Sequence, residues 1–167
     1  AEMATLALAI AAEVATPGAR TIAEVSGQLK VDPALTIKSL LFMGPAGPVL
    51  ALVRGDHALH ERKLSRALGG EARPAHPDEV KAQLGIEPGS IGPVKVPGAP
   101  RILADESLRA GRYVVGANRE GYHLTGVAPG VMGLVLAWAG GLAIARLTGA
   151  TPVVIMLAAA VVWFAGA

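Results

Sequence analysis

The spacing of apolar and polar positions changes several times along the chain. The first fourteen residues, AEMATLALAIAAEV, are alanine-rich and predict a peripheral helix. Thr16-Pro17-Gly18 breaks it. Thr21-Ile22-Ala23-Glu24 has capping-box spacing: Thr21 can accept from the amide three residues on, and Glu24 can reach back. A short helix over about 21–29 follows. Thr36 to Phe42 (TIKSLLF) is rich in β-branched and apolar residues and rises out of the turn Asp32-Pro33, which predicts a strand over 36–43. VLALVR at 49–54 predicts a second strand. The five-residue turn between them, Gly44 to Pro48 with two prolines and two glycines, predicts a hairpin. From 59 to 68, apolar residues at 59, 64, 67 and 68 oppose charges at 61, 62, 63 and 66; that is an amphipathic helix stopped by Gly69-Gly70. Pro77-Asp78-Glu79 opens another helix with acids where the dipole favours them, and Gly85 ends it. A strand at 101–104, a helical turn at 105–110, and strands at 112–117 and 122–127 around the turn Asn118 to Gly121 complete this part. Strands and short helices intermix without a regular βαβ repeat, so an α/β fold with a mixed β-sheet is expected, not a doubly wound one.

Beyond Val127 the pattern changes. Residues 131–147 and 153–167 read as two apolar helices around the turn 148–152, each a little short of the ~20 residues that span a bilayer. Residues 1–130 hold all 13 acids and 14 of the 15 Lys/Arg; residues 131–167 hold only Arg146. The chain therefore divides into a domain at 1–128 and an apolar tail at 129–167. Three accounts of the tail are open: a membrane hairpin anchor, a helical pair packed on the domain or on a second copy, and a segment foreign to the domain through a fusion or a change of frame. The last is taken for its origin and a helical hairpin for its structure. The N-terminus has no basic start and carries Glu2 ahead of its apolar run, a poor signal peptide. A cytoplasmic location is expected, with the tail leaving membrane attachment open.

Composition narrows the chemistry. The chain has no cysteine, so no disulfide frame, thiolate metal site or thiol nucleophile. Its four histidines, His57, His60, His76 and His123, show no metalloprotease spacing. No phosphate-binding glycine loop is present, since Gly89 to Pro93 lacks the Lys-Ser/Thr and the following helix, and there is no G-x-S-x-G elbow. What remains is Lys38 inside an apolar strand, the Gly89 to Pro93 loop, the turn Arg54-Gly55-Asp56-His57, and the run Gly116 to His123. Lys38 faces either water or a cleft that wants a cation. Spacing alone decides none of these.

Four ordered segments resemble the insertion (editing) domain of bacterial-type prolyl-tRNA synthetase: TPGARTIAEV at 16–25, TIKSLL at 36–41, LVRGDH at 52–57 followed by ERKL at 61–64, and GANREGYHLTGV at 116–127. A G-x-x-x-P loop at 89–93 lies between them. The resemblance covers roughly residues 15–128 and extends to free-standing trans-editing proteins of the YbaK type. It implies a YbaK-like mixed sheet with short flanking helices. It also implies deacylation of transfer RNA for proline wrongly charged with alanine, at the ester on the 3′-terminal adenosine, with no cofactor. By position, Lys38 matches the family's active-site lysine, Gly89 and Pro93 its loop, and His123 the histidine that helps shape the aminoacyl pocket. Asn118 and Gly116 sit in the motif before that histidine. Ile37 and Ser39 flank the lysine, and Ser90, Ile91 and Gly92 fill the loop, so these are expected to bind substrate. Arg54 and His57 sit at a strand end where RNA could be contacted, although that turn can equally be structural.

The chemistry suits these groups. Loop amides can be aimed at the oxygen that gains charge in ester hydrolysis, and a lysine can hold a phosphate or ribose as a point charge. The net charge of +2 argues against strong nonspecific RNA binding, so the rest of a synthetase is the expected source of grip on the transfer RNA. Self-association or membrane contact through 131–167 is the other expected interaction. The alternative is a non-catalytic module of the same fold that binds the transfer RNA end or is tethered to a membrane.

Overall fold

The computed structural model describes residues 12–98 and 100–132. In chain order the elements are β1 (Ala12–Ala15), α1 (Ile22–Leu29), β2 (Ile37–Gly44), β3 (Gly47–Arg54), α2 (Glu61–Leu68), β4 (Arg73–Pro74), α3 (Pro77–Leu84), β5 (Arg101–Ala104), β6 (Tyr113–Gly116) and β7 (Tyr122–Val127). Short 3₁₀ turns lie at Pro33–Leu35, Glu106–Leu108 and Pro129–Met132.

The strands form two sheets where one mixed sheet was expected. One has the order β4-β2-β3-β5, antiparallel except for the parallel β3–β5 pair; the other is antiparallel with the order β1-β7-β6. An isolated parallel bridge, Thr36 to Val114, ties them together. The main core fills the space between them. Ile37, Leu41, Leu50 and Leu52 from the first sheet meet Val115 and Val127 from the second, with Val80 and Leu84 of α3 closing the side. The other face of the first sheet packs Phe42, Val49, Ala51 and Leu103 against Leu64 of α2. β3 is thus covered on both faces, which is why VLALV reads as a continuous apolar run rather than an alternation.

The β2–β3 hairpin forms as its pattern predicts, but tighter. Gly44 pairs with Gly47, leaving a two-residue turn at Pro45-Ala46 in place of the five-residue one. The capping box at α1 is present: Thr21 Oγ1 accepts from the Glu24 amide and Glu24 accepts from the Thr21 amide. The helix expected over 1–14 is corrected where it can be seen, because Ala12–Ala15 is a strand paired antiparallel with β7. An isolated alanine-rich helix of that length is marginal in water. Pairing with β7 offers ladder hydrogen bonds, and Glu13 gains an ion pair with Arg119. Residues 1–11 and the predicted hairpin beyond 132 lie outside the described residues. Among the described residues no helix is long and apolar enough to cross a membrane.

The corner from β4 into α3 is held by charge. Arg73 gives two hydrogen bonds to the Glu79 carboxylate, at 2.8 and 2.7 Å, and the His76 amide gives a third. With the Arg73 bonds as the main cause, they hold the Glu79 carboxyl down at about 2.

Candidate active site

Between α1, the first half of β2, the 89–91 loop and the end of β6 lies a cavity of about 320 Å³. Lys38, Gly89 and His123 line it, with Ile37, Ser39, Ile91 and Gly116. The structure therefore brings most of the sequence-predicted site residues to one place. Pro93, Ser90, Gly92, Asn118, Arg54 and His57 do not line the cavity; several of them hold the residues that do. The cavity also takes Arg20, Thr21, Ile22, Val25 and Leu40, which motif reasoning passed over. A signal was available for Ile22 and Val25: i, i+3 spacing just inside the capping box puts both on one face of α1.

Lys38 is half-buried, and its Nζ donates to the carbonyl of His57 at 2.6 Å. One of three ammonium donors is thereby used and two stay available. The turn after β3 exists in a form that places this carbonyl. Arg54 donates to Asp56 through Nε at 2.6 Å and Nη2 at 2.8 Å, and the His57 amide donates back to the Arg54 carbonyl. The side-chain bond between Arg54 and Asp56 lowers the Asp56 pKa and raises that of Arg54. Arg54 Nη2 also reaches His57 Nε2 at 2.9 Å. A guanidinium can only donate, so Nε2 is the acceptor in this bond. Gly55 has no room for a Cβ, which would meet the Thr36 hydroxyl and the Pro33 carbonyl.

His123 is buried, and its Nδ1 lies 2.6 Å from the hydroxyl of Thr16, itself fully buried. Among the described residues that ring nitrogen is the hydroxyl's one partner. A buried O–H without an acceptor costs more than a spare lone pair, so Thr16 donates, Nδ1 accepts, and Nε2–H is left on the far side of the ring as a donor. Thr16 was not singled out from sequence; its contact with His123 spans 107 positions and only the β1–β7 pairing creates it.

Burial lowers the His123 pKa from its ordinary value of 6.5. The unfolded chain takes up this proton near pH 6.5 and the folded chain only at lower pH. Between those values the unfolded state binds more protons, so the stability is full above about 6.5 and falls as the pH drops below it. Urea midpoints measured from pH 7.5 down to about 5.5, above the carboxylate range, are expected to decline for the wild type and to flatten in His123→Gln.

Asn118 is the clamp of the 89–93 loop. Its backbone is left-handed, with φ of 58°. Its Oδ1 accepts from the Gly92 amide at 2.7 Å, its Nδ2 donates to the Val94 carbonyl at 2.9 Å, and its amide donates to the Ser90 carbonyl at 2.9 Å. Because the Ser90 amide donates to the Glu87 carbonyl, the Gly92 amide is engaged and Pro93 has none, the loop amides left at the cavity wall are those of Gly89 and Ile91. Asn118→Gly keeps the left-handed backbone and deletes both side-chain bonds. It is expected to lower stability by about 2 kcal/mol in urea unfolding and to loosen the loop.

The family model of the aminoacyl-tRNA editing domain matches residues 16–133, and the chain belongs to that family. Within it, the chain is related to the editing part of prolyl-tRNA synthetases. It is 43% identical over 118 residues to the proline–tRNA ligase of Streptococcus mutans, covering 70% of this chain and 19% of that protein. To the proline–tRNA ligase of Nitratidesulfovibrio vulgaris strain Hildenborough it is 44% identical over 124 residues, covering 73% of this chain and 22% of the other. The chain thus spans about a fifth of the length of these relatives. A solved structure described as a candidate trans-editing enzyme for prolyl tRNA synthetase superposes with a TM-score of 0.66 at 26% identity, covering 73% of this chain and 78% of that one.

Proposed function

We propose that this domain hydrolyses the ester joining alanine to the 3′-terminal adenosine of transfer RNA for proline. The observation that carries the reading is the convergence of Lys38, the Gly89–Ile91 loop and His123 on one cavity. Scatter of these groups over separate surfaces would have favoured a binding module instead.

In this mechanism the ester carbonyl points at the amides of Gly89 and Ile91, which stabilise charge as it develops on the oxygen. Water adds to the carbonyl carbon. The bond to the ribose oxygen breaks, that oxygen takes up a proton, and alanine leaves. Lys38 holds the ribose or terminal phosphate with the donors His57 does not use. His123, neutral at physiological pH, offers Nε2–H to the bound aminoacyl group. Ile22, Val25 and Ile37 wall the cavity with apolar surface suited to a methyl side chain. Excluding a bulkier residue is steric and therefore strong, whereas preferring one extra methylene would be worth only ~1–3 kcal/mol. The partners this reading needs are alanyl-tRNA for proline and a synthetase that makes the error, acting in the same chain or another.

The test is deacylation of alanyl-tRNA for proline, with prolyl- and cysteinyl-tRNA alongside. Alanine release with the prolyl ester untouched supports the reading. No alanine release by folded protein would remove the enzyme and leave a module that binds the transfer RNA end. Release of cysteine instead would move the domain to another specificity within its family.

A further inference from the structure

A second cavity, of about 310 Å³, adjoins the first and shares Ser39, Leu40, Gly89 and Ile91 with it. Its remaining walls are mostly apolar and include Phe42 of β2, Leu59 ahead of α2, Pro74, Pro77 and Pro88.

Ser39 lines both cavities and so stands at their junction. Gly44 and Gly47 close the two-residue hairpin as a hydrogen-bonded pair, so even-numbered residues of β2 bond to β3 and odd-numbered ones face away. Two bonds agree: the Gly55 amide reaches the Thr36 carbonyl on the inner side, and the Ala75 amide reaches the Leu41 carbonyl on the outer side. β4 covers only Phe42 and Met43 of that outer edge. The N–H and C=O of Ser39 therefore face away from β3, on a stretch of that edge between the β4 pairing and the Thr36–Val114 bridge. Its Oγ is buried and has no hydrogen-bond partner among the described residues. Buried polar groups are normally paired, and an unpaired Oγ on a residue whose backbone faces away from β3 between two cavities calls for a ligand.

We propose that this second cavity seats the terminal nucleobase, adenine, of the aminoacylated transfer RNA, with the Ser39 backbone reading its edge. The proposal rests on the editing reading above. The ester is carried on the ribose, so a base seat must adjoin the ester's cavity, as this one does. The Watson–Crick edge of adenine sets an acceptor, N1, beside a donor, the 6-amino group, which complements one residue's N–H and C=O. Leucine, phenylalanine and proline walls offer apolar faces of the kind that hold an unstacked base.

The experiment uses the full chain and two transfer RNA ends, adenosine and inosine; inosine presents N1–H and a 6-oxo group, reversing donor and acceptor. Deacylation of the two alanyl esters is compared. Free adenosine and inosine are then titrated against ¹⁵N-labelled protein while the Ser39 amide is followed. The expected result is a kcat/KM lower by roughly tenfold or more for the inosine end, with a Ser39 shift on adenosine and none on inosine. Equal turnover of both ends with an unmoved Ser39 amide would overturn the base seat and leave the editing reading intact. Absence of hydrolysis with a Ser39 shift specific to adenosine would do the reverse.

Discussion

Lys38→Ala will lower alanine release from alanyl-tRNA for proline by about 100-fold or more, the scale set by removing one preorganised donor from a reacting centre. The side chain lies in the cavity wall and its ammonium is aimed by a fixed acceptor, the His57 carbonyl at 2.6 Å. Among the described residues no carboxylate pairs with it, so its charge is left for a phosphate or ribose oxygen. Stability should change little, because Lys38 is only half-buried and the freed carbonyl belongs to a half-exposed turn residue that can take water. Lys38→Arg should recover only part of the activity: a planar fork does not reproduce a compact point donor at the same carbonyl. Deacylation rates and urea midpoints are measured together on both variants. A Lys38→Ala enzyme within twofold of the wild type would place the lysine outside the reaction.

The second large effect is on folding. Gly92→Ala will cost about 3 kcal/mol or more, at the upper end for overpacking. A Cβ at Gly92 would run into the carbonyl of Gly116, and one at Gly116 would meet the carbonyls of Ser90 and Ile91. Both sides of the contact are backbone, so no side chain can swing away. The loop must lift off the end of β6, which breaks the Asn118 clamp and carries Gly89 and Ile91 away from the cavity. Gly27→Ala is the internal control. Gly27 lies in α1 with nothing within 4 Å of an added Cβ, and the change should stabilise by about 0.5–1 kcal/mol through helix propensity. Urea unfolding of the two variants should therefore move in opposite directions. If Gly92→Ala unfolds at the wild-type midpoint, the loop and β6 are not packed backbone against backbone.

Much of this was legible in the residues. Helix caps and strand alternation are local, so the Thr21–Glu24 box, the β2–β3 hairpin and the amphipathic α2 follow from neighbours a few positions apart. Lys38 was conspicuous because a charge in an apolar strand needs a reason. Thr16 was not, because a threonine before a proline and glycine looks like punctuation until β1 pairs with β7 and puts its hydroxyl against His123. Asn118 was expected to touch substrate; the structure shows it holding the loop, through bonds to backbone groups that carry no sequence signal. The strand at Ala12–Ala15 escaped for the opposite reason: its local helix propensity is real and was overridden by a partner strand 107 to 113 positions away.

The sequence by itself determined most of the elements from residue 21 to 127, the confinement of nearly all charge to residues 1–130, and, through four ordered motifs, the family. These depend on short-range periodicity and on residue identity. Tertiary structure alone decided that the strands part into two sheets, that Lys38 lines a cavity with Gly89 and His123, and that the Ser39 hydroxyl is left without a partner between two cavities. Those outcomes depend on register and on which edges find partners. Hydrogen bonds between backbone groups far apart in the chain settle them, and every residue type but proline offers the same groups.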